Sequence, residues 1–291
     1  MHLLVQSIIV GVLTGGVYAL MATGQTLIFG VMRVINVAQG AMVILAAYLS
    51  SSLFSSFGID PFLSILITAP ILFVLGFSIH ATFLRRLRPE QNELSLLIMF
   101  AVALGIEGVL GLAYSTTYRS IQTGYVNRSF TVAGYHVALV RLLAFALSAV
   151  ILVGLFLLLN RSRFGRSVRA TVQNPTSARL LGVEPTRVAA IGFGLGAATA
   201  AAAGAVYGLV YPFNGGSHYD LISRLLSIVM LGGLGSLGGS VIAALVMGIA
   251  ESVVAANFSP IWSSFTFFAV LLAVLVFRPR GLFGVAQRGA L

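Results

Sequence analysis

The chain has 291 residues, of which 58% are hydrophobic and 8% charged, and its mean hydropathy is +1.03. A soluble domain carries about 25% charged residues, so a water-soluble globule is excluded and an integral membrane protein is expected. The net charge of +10 is no sign of nucleic-acid binding, because the basic residues gather at the ends of apolar runs, where membrane topology places them.

A membrane-spanning helix needs roughly 20 mostly apolar residues. In chain order the apolar runs are 4–29, 35–57, 62–84, 94–113, 140–159, 188–211, 221–234, 241–254 and 261–277. The first run continues far beyond the core of a signal peptide and lacks an early basic region, so it reads as a retained span. The run 221–234 is short, fitting a half-span, a re-entrant helix or a kinked continuation into the next. The expected fold is all-α: one polytopic transmembrane domain over 1–291 with eight or nine helices, including a short or broken helix before a Gly-rich turn.

All 17 basic residues are arginine. Three lie at 85–88, six in the polar segment 161–187 and three at 278–288, twelve on one proposed side. The loop 114–139 has Arg119 and Arg128, with Arg141 just inside the next run. Positive charge marks the cytoplasmic side, so 161–187 and the C-terminus are expected inside, with 114–139 and the N-terminus outside. The loop 114–139 is long enough for a small extracytoplasmic structure. Its Asn127-Arg128-Ser129 matches a glycosylation pattern that is frequent by chance.

Without lysine there is no phosphate-binding P-loop, so if the chain transports with ATP, the ATPase is another polypeptide. Without cysteine there are no disulfides or thiolate metal sites. His2, His80, His136 and His218 show no metal-ligand spacing, and no Gly-x-Ser-x-Gly elbow is present. No catalytic residue, metal or cofactor is expected.

Polar and small residues inside the apolar runs are the remaining candidates. Gly192, Gly196, Ala200, Gly204 and Gly208 recur every four residues, forming one slowly drifting stripe on a helix. Small residues let a neighbouring backbone approach in lipid. The stripe is read as helix packing, with sliding during transport as the functional version. Gly11 and Gly15 repeat the pattern more weakly. The run LGGLGSLGGS (231–240), with Gly232, Gly233 and Gly235, reads as a break between a short helix and the next span, and such breaks in transporters border the substrate route. Asn36 and Gln39 fit either a capped helix start or polar groups facing a pathway. Glu107 and Glu251 lie within apolar runs, where charges face protein or water. Structural pairing is the simpler reading, a proton relay the other. Asp220 and Arg224 are spaced for a local ion pair.

Four stretches together resemble the LivH-type permeases, the membrane subunits of branched-chain amino-acid ABC importers. They are GVYALMATG (16–24) with INVAQG (35–40); GRSVRA (165–170) with ARLLGV (178–183); GGLGSLGG (232–239) with GIAE (248–251); and the terminal RPRGLF (278–283). They span nearly the whole chain in the family's order. Val37 and Gln39 stand where the family usually has Phe and His, and Arg224 where a lysine is frequent. The resemblance implies a permease without its own ATPase site, in a bacterial inner membrane. It would pair with a second, related permease chain and two ABC ATPases, and take substrate from an extracytoplasmic binding protein. It further implies that 161–187 holds the coupling helix, with Leu180 and Leu181 as the apolar contact, Gly182 as the helix stop, and Arg166, Arg169 and Arg179 orienting the ATPase. Asn36, Gln39 and the Gly232–Gly239 break are the pathway candidates. Related importers carry urea or short amides. From another class, a stand-alone ion-coupled carrier or channel would use Glu107 and Glu251; a membrane-embedded enzyme would need an acid–base or metal cluster.

Overall fold

The computed structural model describes residues 2–87, 92–126, 128–132, 134–278 and 281–283. Arg88, Asn127, Arg280 and Arg288, invoked above, lie outside the described residues. Among those described there are eleven α-helices and one antiparallel hairpin. In order they are α1 (His2–Met32), α2 (Gln39–Phe57), α3 (Pro61–Thr82), α4 (Asn92–Tyr114), β1 (Ser129–Val132), β2 (Tyr135–Ala138) and α5 (Leu139–Arg161). Then come α6 (Arg163–Gln173), α7 (Pro175–Leu180), α8 (Pro185–Val210), α9 (His218–Gly232), α10 (Leu237–Asn257) and α11 (Pro260–Phe277). The fold is all-α, and every one of the nine apolar runs forms a helix. Seven described helices (α1 to α5, α8 and α10) are long and apolar enough to cross a membrane; α11 is apolar but shorter, and α9 has only 15 residues.

The centre of the bundle is α8, buried on nearly all sides, with α1, α2 and α3 packed along it. The small-residue stripe makes this approach possible, and it faces three neighbours rather than one. Gly192 meets Val31 and Gly196 meets Gly24 and Ile28, all on α1; Gly204 meets Val43 and Ala46 on α2; Gly208 meets Ile121 and Phe213. Ala200 between them is fully buried. The same device joins α1 to α10, where a side chain on Gly11 or Gly15 would strike the backbone of Ile249 or Leu245. Outer helices instead present leucine, valine and phenylalanine, such as Leu66, Leu112, Val150 and Leu272. Such a surface suits lipid, where apolar contact carries no penalty.

The two ends of the bundle differ chemically. At one end the Gln6 amide pairs with the backbone of His136 in both directions, at 2.6 and 3.0 Å, tying α1 to the hairpin. There too Arg119 bridges Phe213, and the Tyr125 hydroxyl donates to Asp60 at 2.7 Å. Burial, reinforced by that bond, pushes the Tyr125 phenol above the usual tyrosine range. The loop 114–139 thus holds a small structure, as its length suggests. Helices α6 and α7 lie at the opposite end, since α5 and α8 run between them and the hairpin end. Arg85 and Arg187 line one cavity there, so the arginine-rich segments share one end.

Helix α2 starts at Gln39 rather than near Ile35. Arg33 adopts a left-handed conformation, φ +57°, which ends α1. The Asn36 side chain then accepts the Ala38 N–H at 3.1 Å, a local turn that competes with helix.

Candidate functional site

Helix α7 is six residues long and sharply bounded. Asn174 accepts from the N–H groups of Thr176 and Ser177, both at 3.0 Å, and Pro175 occupies the first turn, where its missing N–H costs nothing. At the other end Gly182 has φ +77°. Its N–H reaches the Arg179 carbonyl and the Val183 N–H reaches Ala178, the paired bonds of a Schellman stop. Of this element, Ala178 alone is buried; Leu180 and Leu181 are 85% and 80% exposed. Arg166 and Arg169 on α6 and Arg179 on α7 are exposed as well, and Arg169 donates to the Leu159 carbonyl at 2.6 Å. The residues named above for coupling thus lie on two consecutive short helices, Arg166 and Arg169 on α6 and Arg179 to Gly182 at the end of α7. Leu180 and Leu181 stand exposed on a turn bounded by Asn174 and Gly182.

Asn36 and Gln39 are placed differently. Both are fully buried where α1, α2 and α8 meet. Asn36 Nδ2 donates to Gln39 Oε1 and Gln39 Nε2 to the Gly196 carbonyl, both at 3.1 Å. That carbonyl also accepts from the Thr199 hydroxyl. The Gln25 amide, oriented so that both its ends are satisfied, bonds the Asn36 backbone twice at 3.0 Å. This knot fixes the start of α2. The next residue, Gly40, lies against the His218 carbonyl and Ile222, so the first turn of α9 rests on it.

Helix α9 begins inside the bundle. Phe213 packs on Tyr48, while His218 is buried beside Gly40. Eight helical residues separate Tyr48 from Gly40, about 12 Å at 1.5 Å each, so the chain runs that far along α2 before α9 starts. The exposed face of α9 is polar in its first turns, where Tyr219 and Asp220 are exposed and Ser223 is partly so, and continues with the partly exposed Leu226 and Met230. Tyr219 donates to Glu107 of α4 at 3.0 Å, and His218 Nε2 is 3.9 Å from the same carboxylate. Glu107 and Asp220 thus share a neighbourhood that the sequence left separate.

Behind that face, Arg224 binds Asp220 at 2.8 Å, as its spacing predicts, and also pairs with Glu251 of α10. It donates to the Tyr18 hydroxyl at 2.9 Å and to Ser264 at 3.2 Å, and lies 5.0 Å over the Phe267 ring. Tyr18 in turn donates to Glu251 at 2.8 Å. One guanidinium thus joins α1, α9, α10 and α11. The sequence signal for the Glu251 pair was weak: two lone charges in separate apolar runs, which in a membrane tend to find each other. Arg224→Gln is expected to leave the partly exposed Glu251 without its cation, destabilising by less than the about 3–5 kcal/mol of a fully buried pair. Thermal unfolding in detergent reads this, and the double change with Glu251→Gln should recover part of the loss. An unchanged melting temperature would remove the network from the account.

The Gly-rich break lies at the C-terminal end of α9. Gly233 has φ +91° and Gly232 meets Gly239 across the turn, while the Leu282 N–H donates to the Leu231 carbonyl at 2.8 Å. Gly235 faces Gly30 of α1. The expected interruption is present; Gly232, Gly233 and Gly239 are buried, while Leu234, Gly235 and Gly238 are exposed. Among the described residues no group of three or more potential metal ligands occurs.

Comparison with known proteins finds relatives along nearly the whole chain. The family described as the permease component of branched-chain amino acid transport systems matches residues 7–275. The high-affinity branched-chain amino acid transport system permease protein BraD of Pseudomonas aeruginosa is 28% identical, over 96% of this chain and 95% of its own. The LivH protein of Escherichia coli is 27% identical over 94% and 93%. The probable LivH of Methanocaldococcus jannaschii is 28% identical over 91% and 88%. With a match of this extent, the chain belongs to the family of branched-chain amino acid transport system permease components.

Proposed function

We propose that the chain is the membrane subunit of an ATP-driven importer for branched-chain or related amino acids, delivered by an extracytoplasmic binding protein. The basic end faces the cytoplasm, the hairpin end the outside. A second permease chain completes the route, and two ATPases dock below. The observation that carries this reading is α7, a capped helix with Leu180 and Leu181 exposed at the basic end. An ATPase groove that takes the two leucines, with Arg166, Arg169 and Arg179 orienting the approach, moves the bundle when ATP closes the ATPases. Transport is then a shift between outward and inward states, driven by their different affinity for the ATP-bound partner.

The polar face of α9 is poorly suited to lipid, which supports its facing the route at the junction with the second permease. Asn36 and Gln39 stand one layer behind, holding the α2 start on which α9 rests. Gly232, Gly233 and Gly235 let α9 end inside the bundle. The short α9 and the break at its foot are the parts able to tilt without disturbing α8. Gln39→Ala is expected to reduce uptake several-fold at normal expression, because the knot loses its link to Gly196. A wild-type uptake rate would exclude Gln39 from the transport cycle.

Uptake of labelled leucine into proteoliposomes tests the assignment. It should require the binding protein, the ATPases and ATP together. Uptake by this chain alone would point to a carrier or channel.

A further inference from the structure

A cavity of about 190 Å³ opens at the basic end between the foot of α3 and the start of α8, apart from α7 and from the polar face of α9. Its walls include His80, Arg85, Glu184, Thr186 and Arg187, with Phe77 on the side of the span. Three features make it a site for an anion. Arg85 and Arg187 converge on it from different helices, both exposed. The first turn of α8 has no side-chain cap, so the N–H groups of Thr186 and Arg187 lack helical partners and carry the positive end of the helix dipole. His80, only 3% exposed, lines the cavity, and its Nδ1 has no hydrogen-bond partner among the described residues. A buried imidazole nitrogen without a partner is costly. Nδ1 is itself shielded from solvent, so as an Nδ1–H tautomer it donates to an entering anion only once the ring turns. Glu184 is the opposing charge among the described wall residues; it is exposed, and two guanidiniums outnumber it.

We infer that this cavity holds the phosphate of an anionic phospholipid headgroup, clamping the foot of α3 to the start of α8 beside the coupling segment. This rests on the proposed orientation, which puts the cavity at the cytoplasmic membrane surface. Basic pockets between spans at that surface bind anionic headgroups. The apolar side of the cavity favours a lipid over a free anion. Phe77 and Phe83 are exposed on the same stretch of α3 and the turn that follows it, where acyl chains would lie. The site also has a consequence for coupling. Thr186 and Arg187 follow α7 by only six and seven residues, so a headgroup held there steadies the base from which α7 projects.

The test uses the purified importer complex, delipidated in detergent and then supplied with phosphatidylglycerol, phosphatidylcholine or inorganic phosphate. Retained lipid is counted by native mass spectrometry and melting temperature is followed in parallel. The wild type should retain phosphatidylglycerol over phosphatidylcholine. The double variant Arg85→Gln/Arg187→Gln, at exposed positions that should not hinder folding, should retain it at least about tenfold less. Arg161→Gln, at the same end but outside the cavity, should retain it as the wild type does. Equal retention by the double variant would overturn the site. Stabilisation by inorganic phosphate without retention of phosphatidylglycerol would assign the cavity to a soluble anion and overturn the lipid. ATPase co-purification is scored separately, so failure of the importer reading and failure of this site give different results.

Discussion

Replacing Leu180 and Leu181 by aspartate is expected to leave the bundle folded and to abolish its hold on the ATPase. Both side chains point away from the bundle and their removal opens no cavity, so the isolated chain should melt where the wild type does. Covering a leucine contributes about 1.5–3 kcal/mol. Two together contribute roughly 3–6 kcal/mol, and a loss in that range weakens docking more than a hundredfold. ATPase retained on the tagged variant, and ATP-driven uptake in proteoliposomes, are the two readouts; both should fall together. Full retention of the ATPase would mean that α7 is not the contact.

Gly204→Leu should have the opposite profile, failing before any partner is met. A Cβ at position 204 would strike the Val43 carbonyl and come within 2.6 Å of the Ala46 Cβ and 2.9 Å of the Ala47 nitrogen. Two of these neighbours are backbone and cannot swing aside. Overfilling a packed core costs about 1–3 kcal/mol, sometimes more, and the whole leucine side chain must fit where even one carbon does not. The expected result is aggregation on size exclusion and a sharply lowered melting temperature. Gly108→Leu provides the contrast, since nothing lies within 4 Å of its Cβ position on α4; it should purify as the wild type. Equal behaviour of the two variants would show that α8 does not pack on α2 as described.

What could be read from the sequence follows the range of the interactions involved. Helix α7 was legible through the family resemblance, from its ARLLG segment and Gly182; its start at Asn174 and Pro175 is a further local signal outside that resemblance. The spans were legible because lipid imposes one length and one composition on all of them. The Asp220–Arg224 pair lies within a single turn and could be inferred from spacing. The partner that matters more to Arg224, Glu251, is 27 positions away on another helix, and nothing in spacing indicates such a pair. Asn36 and Gln39 show the same limit. Their polarity marked them as unusual, but whether an amide turns to a route or to the Gly196 carbonyl is decided by how α2 crosses α8. That the small-residue stripe on α8 meets α1 at one end and α2 further along depends on the crossing angles. The depth at which α9 begins was also hidden, because the segment before it, ending in a 3-10 turn at Gly215–Ser217, follows the side of α2 instead of ending at a surface.

The measurement closest to the central claim is gentle purification of the tagged chain, with its companions identified by mass spectrometry and ATP hydrolysis assayed on the same fractions. The account predicts two ABC ATPase chains and a second permease, with hydrolysis that disappears when Leu180 and Leu181 are changed to aspartate. A chain that purifies alone, stable and without hydrolysis, yet moves substrate in liposomes, would contradict it.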